Sequence, residues 1–306
     1  MKTVVFYYTQ SGQALEAVKN ICDALCHNNE EERITDEVVY KQIKPLEQYP
    51  FPWSRYEFFD TFPETRLGIP PSGIEPIDFS DIDDADIVII GGQSWFLSPS
   101  LPLQSFFTDE QVRHYLQGRP IVFVNACRNM WLMTSRDIKR YVHDAGAQLV
   151  GHIVLQDRTP NLISAMTIVR WLIGGRKKAE GLLPDAGIPD SDLQASSRFG
   201  DIIRNTWQEE KTELLQQRLL EAGAIDYKPS ILFLEKAGHR MFGLWAAFIR
   251  RKGGFRSPQR RQRVNMFYYY LLTVLFLISP FAQLFFYLTW PLQHVRRHKQ
   301  EDCGVS

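Results

Sequence analysis

The sequence predicts an α/β fold, a doubly wound five-stranded parallel sheet, followed by a helical C-terminal extension that carries a membrane segment. Two observations predict it. Short apolar runs alternate with helical patterns through the first half of the chain, and the last quarter is both basic and strongly apolar. Alternation with short connections favours parallel pairing through right-handed crossovers. A chain of 306 residues also has room for a module beyond one such sheet.

Five apolar runs rich in β-branched and aromatic residues are predicted as strands, at residues 3–8, 35–41, 86–91, 120–125 and 147–155. Helical patterns occupy residues 13–27, 101–117 and 133–145. The last of these helices begins near a candidate N-cap, Thr134, with Asp137 three residues later. We therefore expect the sheet domain to span residues 1–156.

The segment at residues 43–77 interrupts this alternation with many prolines and aromatic residues, among them Tyr49, Trp53 and Phe59. Proline disfavours a regular helix, and the segment is too apolar for a solvated linker. Two interpretations stay open. The segment is either a packed lid that lines a lipophilic pocket, or a set of rings that replaces a helix on the sheet face.

An uncharged polar loop follows the first strand and opens a helix. It consists of Thr9, Gln10, Ser11, Gly12, Gln13 and Ala14. Backbone N–H groups and the helix dipole favour an anion at such a place. The loop lacks the lysine of G-x-x-x-x-G-K-[ST], and its one glycine is too few for G-x-G-x-x-G. A neutral loop suits a phosphate monoester held by hydrogen bonds, which points to FMN, although an ordinary strand–turn–helix connection is the alternative.

Two further loops leave the carboxyl ends of predicted strands, where ligand sites of open parallel sheets lie. Trp95 offers a large flat face on which a flavin ring can stack. The candidate cofactor contacts in these loops are Gln93, Ser94, Trp95 and Phe96, then Asn125, Ala126, Cys127, Arg128 and Asn129. The three loops in this order favour FMN more strongly than any one of them does alone.

The C-terminal quarter is positively charged, whereas the rest of the chain is negatively charged. Residues 228–306 hold 13 Lys or Arg against three Asp or Glu, a formal charge of +10, so residues 1–227 of the neutral chain carry −10. Residues 266–292 run for 27 positions without a charge and are flanked by arginines. About 20 apolar residues suffice to cross a bilayer. We expect a membrane anchor, either a single span or, because of Pro280, a shallow hairpin.

The predicted organisation is therefore a sheet domain, a helical extension at residues 157–238 and a basic, amphipathic, membrane-anchoring segment at residues 239–299. Helical patterns in the extension cover residues 162–173 and 197–222. Because the chain enters its first strand directly, we expect no signal peptide and a location on the cytoplasmic face of the inner membrane. The four cysteines and seven histidines show no metal-ligand spacing, and no nucleic-acid motif appears.

The loop at residues 9–14 resembles the phosphate loop of the flavodoxin-like family, a strand followed by [ST]-x-[ST]-G-x-T, with Ala14 in place of the last hydroxyl. Residues 7–13, 49–53 and 127–131, together with the tail, resemble a bacterial group of dialkylresorcinol condensing enzymes that act in resorcinol-lipid pigment pathways. Condensation itself needs a thiolase-type fold. The resemblance therefore implies the neighbouring step, FMN-dependent aromatisation of a 2,5-dialkylcyclohexane-1,3-dione, with a biosynthetic ketosynthase as partner.

For that reaction Arg128 is the candidate to stabilise an enolate oxygen, and Tyr56 or Asp157 to move protons. The expected partners are a lipophilic small-molecule substrate and membrane lipid. Two other hypotheses stay open: a membrane-associated NAD(P)H:quinone or flavin reductase, and a flavodoxin-type electron carrier. A scaffold that has lost its cofactor is a further alternative.

Overall fold

The computed structural model describes residues 1–26, 36–278 and 281. Its strands are β1 (Lys2–Tyr7), β2 (Glu37–Gln42), β3 (Ile87–Trp95), β4 (Ser98–Pro99), β5 (Pro120–Cys127) and β6 (Gln148–Gln156). Five of them form a parallel sheet in the order β2-β1-β3-β5-β6, while β4 pairs antiparallel with the end of β3. The predicted five-stranded parallel sheet is confirmed, and its strand order is that of flavodoxin-like doubly wound folds.

The first six helices are α1 (Gln13–Leu25), α2 (Arg55–Asp60), α3 (Phe62–Leu67), α4 (Leu101–Thr108), α5 (Glu110–Leu116) and α6 (Leu132–Asp144). The six that follow are α7 (Asn161–Gly174), α8 (Asp190–Ala195), α9 (Ser197–Gln208), α10 (Leu215–Glu221), α11 (Pro229–Arg250) and α12 (Arg261–Thr273). A π-helix over Val274–Ile278 continues α12.

Helices cover both faces of the sheet because successive strand residues point to opposite sides. Val4 and Phe6 of β1 face a core built with α4, α5 and α6. Val5 faces a second core, to which α1, α9 and α10 contribute. The layer beside α1 thus includes residues well beyond position 156, since α9 packs on α1.

Several predicted helices differ from those observed. The predicted helix at residues 101–117 breaks at Asp109, whose carboxylate accepts the N–H groups of Gln111 (3.0 Å) and Val112 (3.1 Å) and so caps α5. The pattern at residues 197–222 gives α9 and α10, separated by Glu210 at φ 56° and a 3₁₀ turn. The proline-rich segment at residues 43–77, called the insert below, is wrongly predicted to lack helix. It forms the two short helices α2 and α3, and α3 accommodates Pro63 in its first turn, where a missing N–H costs little.

Thr134 does not cap α6, contrary to prediction. It is fully buried inside the helix, which begins at Leu132. The first turn is capped instead by Glu235 of α11, whose carboxylate accepts the N–H groups of Leu132 (3.2 Å) and Met133 (2.8 Å). A tertiary contact therefore replaces the local cap that the sequence pattern predicts.

The C-terminal helices pack on the insert as a further core. Phe242 of α11 and Phe267 of α12 meet Phe59 and Phe62, and the rings of Phe62 and Phe267 stack at 3.7 Å between centroids. Within residues 239–252 of the predicted amphipathic, membrane-anchoring segment, Phe242, Ala246 and Ile249 are buried against protein, whereas Met241 and Leu244 are exposed. The three helices α7, α11 and α12 together are called the helical roof below.

One buried ion cluster joins the roof to the insert. The Arg260 guanidinium donates to Asp60 Oδ1 (2.7 Å), to Glu64 Oε1 (2.7 Å) and to the Asp60 carbonyl, and the Arg260 side chain is fully buried. The Arg256 N–H donates to the other Asp60 oxygen (2.9 Å). The start of α12 is thereby tied to α2 and α3.

Within residues 1–26, 36–278 and 281, no helix combines the length and the apolar character needed to cross a bilayer. Residues 279–280 and 282–292 of the segment predicted as a membrane anchor lie outside the described residues.

We expect Arg260→Met to lower the free energy of unfolding by about 3 kcal/mol, because two buried carboxylates lose their guanidinium partner. Arg251→Met, at an exposed arginine close by, serves as the matched control. Urea unfolding followed by circular dichroism measures both variants. A loss for Arg260→Met no larger than that of the control contradicts a stabilising cluster.

A second prediction concerns pH. Burial raises the pKa of Glu235 to about 7 from its usual 4.5, so between these values the folded protein holds a proton that the unfolded chain releases. The unfolding free energy contributed at this site therefore falls as pH rises through that window, by up to about 3 kcal/mol. Urea unfolding at several pH values should show this fall in the wild type relative to Glu235→Gln. Parallel pH profiles for the two proteins would count against it.

Candidate functional site

A cavity of about 610 Å³ lies at the carboxyl edge of the sheet, between the three loops and the helical roof. Its volume falls within the range of small-molecule sites. The loops form a polar end, and α7, α11 and α12 form an apolar end. Among the described residues that line it, Arg128 is the only charged one.

The first loop contributes four of its six predicted residues to the lining: Gln10, Ser11, Gln13 and Ala14. The remaining two shape the loop. The Gly12 N–H donates to Thr9 Oγ1 (3.0 Å), and Gly12 adopts φ 92°, a left-handed conformation that favours glycine. No side chain caps α1, so the N–H groups of its first turn have no side-chain acceptor at the N-cap, as at helix starts that bind anions.

The Gln13 side chain has a structural partner that the sequence did not reveal. Its Nε2 donates to the Ile188 carbonyl (2.7 Å), and the Ile188 N–H donates back to Gln13 Oε1 (3.1 Å). Gly187 and Ile188 line the cavity together with Trp171 of α7. The segment before α8 therefore covers the loop end of the cavity, with Gln13 as its brace.

The second loop is a tight hairpin. β3 turns into β4 through Phe96 (φ 47°) and Leu97 (φ 64°), with Trp95 paired to Ser98. Two successive non-glycine residues at positive φ cost of order 1 kcal/mol each, and such strain is concentrated at functional sites. The residues of this loop that line the cavity are Gln93, Ser94, Trp95, Phe96 and Leu97.

The Trp95 indole lies at the boundary between the cavity and the insert. It is 6% exposed, and its ring packs edge-on against Tyr49 (5.3 Å between centroids) and Trp53 (5.6 Å). The insert therefore supports Trp95 from behind, while Phe58 and Phe59 line the cavity directly. Both interpretations of the insert hold for different residues, since Trp53 also belongs to a sheet-face core.

The third loop brings Ala126, Cys127 and Arg128 into the lining, whereas Asn125 and Asn129 lie behind it. Ser94 Oγ donates to Asn125 Oδ1 (3.0 Å), and Asn125 Nδ2 is buried without a partner among the described residues. Burial raises the pKa of the Cys127 thiol, which is therefore neutral at neutral pH. Burial also lowers the pKa of Arg128, to about 10, so this side chain stays charged.

Two predicted catalytic residues lie outside the lining of the cavity. Tyr56 packs under the Arg261 guanidinium, 5.2 Å from its ring centroid, and burial with the neighbouring Asp60 raises its pKa. The Asp157 carboxylate accepts the Thr159 N–H (2.8 Å) and Ser164 Oγ (2.6 Å), which anchors the start of α7. Neither side chain reaches the cavity, although the Asp157 carboxylate lies near enough to Arg128 to raise the pKa of that guanidinium, against the larger lowering by burial.

Sequence analysis missed the residues of the roof that line the apolar end. They are Ala165, Ile168, Val169, Trp171 and Leu172 of α7, Phe233, Leu234, Ala237, Gly238, Met241 and Phe242 of α11, and Tyr270, Leu271, Val274, Leu275 and Ile278 of α12 and its extension. Their apolar periodicity was visible, but in α11 and α12 it was attributed to a membrane surface. The whole arrangement suits a ligand with an anionic group at one end and a flat or apolar body.

No protein-family model and no curated protein matches the sequence. Among solved structures, a flavodoxin from the domain Archaea is 14% identical over 68% of this chain and 99% of its own, with a TM-score of 0.37. A WrbA-like flavodoxin from Agrobacterium tumefaciens is 11% identical over 68% and 98% (TM-score 0.40). A flavoprotein in complex with FMN from Lactobacillus acidophilus is 18% identical over 50% and 92% (TM-score 0.37). The fold assignment rests on the strand order of the sheet.

The cover over the first loop can be tested at Gly187. It has φ 87°, and an added Cβ would collide with Gln13 Oε1 and lie 2.7 Å from the Trp171 ring. Gly181 also has a positive φ (60°) but nothing within 4 Å of such a Cβ, which makes it a matched control. We expect Gly187→Ala to cost about 1–3 kcal/mol more unfolding free energy than Gly181→Ala, measured by urea unfolding. Equal costs would show that the cover is not closely packed.

Proposed function

We propose that this protein is an FMN-dependent oxidoreductase that aromatises a lipophilic dialkylcyclohexanedione to a dialkylresorcinol. The observation that carries the proposal is a single cavity, in which an uncharged anion site at the start of α1 continues into an apolar chamber beneath the helical roof. The polar end suits a phosphate monoester, and the apolar end suits alkyl chains.

The residues at the polar end fit FMN. Ser11 and the uncapped N–H groups of α1 would hold the phosphate without a cation. Trp95 and Phe96 provide aromatic surface beside them. Two buried polar atoms without partners in the described chain, Gln10 Oε1 and Asn125 Nδ2, remain available near these loops. Bound FMN would supply the two-electron acceptor for a hydride.

The roof gives the cavity an apolar wall, which a plain electron carrier does not need. Met241, Leu275 and Ile278 belong to a wall of aliphatic and aromatic side chains that extends the cavity away from the loops. Such a wall binds alkyl chains by burying about 25 cal/mol per Å² of apolar surface, and it excludes water from the reacting carbons.

Arg128 is the residue that we propose for electrostatic catalysis. Aromatisation removes one hydride and one proton from the dione ring, and the ring oxygens gain negative charge as the dione enolises. Arg128 is charged at neutral pH and lines the cavity, so its N–H groups can stabilise that oxygen. Tyr56 and Asp157 are outside the lining, and we assign no proton transfer to them.

The alternatives match the cavity less well. A dinucleotide such as NAD(P)H carries a diphosphate, yet the lining within the described residues offers a single cation. An electron carrier needs an exposed flavin edge, whereas the roof and the segment before α8 cover this site. The exposed apolar side chains near the end of the described residues, Phe276, Leu277 and Phe281, support a proposed membrane attachment through residues 266–292 on the cytoplasmic face.

The direct test is anaerobic mixing of the FMN-loaded protein with a 2,5-dialkylcyclohexane-1,3-dione. We expect the flavin absorbance near 450 nm, roughly where oxidised flavins absorb, to bleach while the dialkylresorcinol forms in equal amount. An unchanged spectrum, with rapid bleaching by NAD(P)H alone, would refute the aromatase and favour the reductase.

Arg128→Gln tests the assigned role within the same assay. Because a fixed charge near the developing oxyanion is lost, we expect the rate of flavin reduction to fall by about 10²-fold, or about 2.7 kcal/mol. Arg140→Gln, at an exposed arginine on α6, is the matched control and should leave the rate unchanged. A rate for Arg128→Gln within a factor of two of the control would remove Arg128 from the mechanism.

A further inference from the structure

We propose that Arg128 and Asn161 form a corner of the cavity that binds the ionised oxygen of an amphiphile, whose alkyl chain then runs beneath α11 and α12. The inference deepens the proposed function and rests on its lipophilic substrate. It adds a binding residue, Asn161, and a ligand class, a molecule with one anionic oxygen and an extended apolar arm.

The hydrogen bonds fix the orientation of the Asn161 amide. Arg128 Nη1 donates to Asn161 Oδ1 (2.8 Å) and to the Asn161 carbonyl (3.0 Å), and Asn129 Nδ2 donates to the same Oδ1 (3.0 Å). A guanidinium can only donate, so the atom facing it must be the amide oxygen. These hydrogen bonds therefore use the oxygen atoms of Asn161 and do not involve its NH₂ group.

That NH₂ group is a buried donor in need of an acceptor. Asn161 Nδ2 is inaccessible to solvent and has no partner among the described residues, while Asn161 itself lines the cavity. A buried donor left unsatisfied costs about 1–3 kcal/mol, which a ligand oxygen at this point would recover. A ligand oxygen that reaches this amide would give the donor the acceptor that the described residues do not supply.

The electrostatics of the corner select an anion. Arg128 brings the single charge in the described lining, and Asn161 is the first residue of α7, the positive end of a helix of 14 residues. The Asp157 carboxylate interacts with Arg128 from outside the lining, where its oxygens are held by the Thr159 N–H and Ser164 Oγ. Hydrogen bonds between ionised partners are about twice as strong as neutral ones. An enolate, a phenolate or a carboxylate therefore fits this corner better than a neutral hydroxyl.

Beyond Arg128 and Asn161, the lining that α11 and α12 contribute to the cavity is apolar. Gly238 of α11 lies on this path, where an added Cβ would stand 3.4 Å from Leu97 Cδ1. At the far end, Phe233 and Met241 are each 42% exposed and Ile278 is 52% exposed, although all three line the cavity. The chamber thus opens to solvent through apolar side chains, which suits an alkyl arm longer than the cavity.

Binding of simple amphiphiles to the purified, full-length protein tests the corner without turnover. Dodecanoate and dodecanol share one chain and differ in the ionised head, and calorimetry or the fluorescence of Trp171 in the lining reports their affinities. We expect dodecanoate to bind at least about tenfold more tightly than dodecanol at neutral pH. In the series from hexanoate to dodecanoate, each methylene should raise the affinity about two- to fourfold.

Asn161→Asp is the decisive variant. It keeps an oxygen for Arg128 and Asn129 but replaces the free NH₂ group with a second, charged acceptor, so folding is preserved while the anion is repelled. We expect dodecanoate affinity to fall by about tenfold or more and dodecanol affinity to stay within twofold. Asn205→Asp, the same change at an exposed position on α9, should alter neither affinity.

Equal affinities for dodecanoate and dodecanol, or an Asn161→Asp variant that binds both as the wild type does, would overturn the inference. These results do not depend on flavin reduction. If the dione assay succeeds and the carboxylate shows no preference, the aromatase stands without this corner. If the carboxylate prefers the corner and FMN fails to bind, the corner stands and the aromatase falls.

Discussion

A fully buried guanidinium, that of Arg260, holds the C-terminal helices against the rest of the molecule. Its bonds to Asp60 and Glu64 join the start of α12 to the two short helices of the insert. Burying three charges is expensive, and close hydrogen bonds offset that cost only in one arrangement. The cluster therefore fixes where the helical roof sits. The roof in turn covers the carboxyl edge of the sheet and leaves a cavity that opens to solvent beside Phe233, Met241 and Ile278.

The cavity combines two chemistries because two different constraints meet there. Parallel strands place β1, β3 and β5 loops at one edge, which gives a polar, nearly uncharged end. The roof packs its apolar faces inward over the same edge and leaves a gap that no side chain of the described residues fills. The strained hairpin at Phe96 and Leu97 lies between the two ends, where the insert supports it through Phe58 and Phe62. Rigid aromatic packing on one side makes that strain sustainable.

The sequence allowed the sheet, its three loops and α7 to be predicted, because strand periodicity and strand-end loops are local signals. It did not allow the packing of α11 and α12 over the sheet edge to be predicted. The apolar faces of α11 and α12 look the same whether they bury against protein or lipid, and only the tertiary partners Phe59 and Phe62 decide between them. The cap of α6 by Glu235 and the brace between Gln13 and Ile188 join residues 102 or more positions apart, and no local pattern encodes them. The positive φ of Phe96 and Leu97 likewise lacks the glycine or asparagine that would have signalled it.

The central claim is that an uncharged loop beneath the roof binds FMN. The most direct measurement is the absorption spectrum of the full-length protein after incubation with FMN and removal of free flavin by gel filtration. The account predicts one FMN retained per chain, with tryptophan fluorescence quenched because Trp95 and Trp171 line the same cavity. A colourless protein with unchanged tryptophan fluorescence would contradict it.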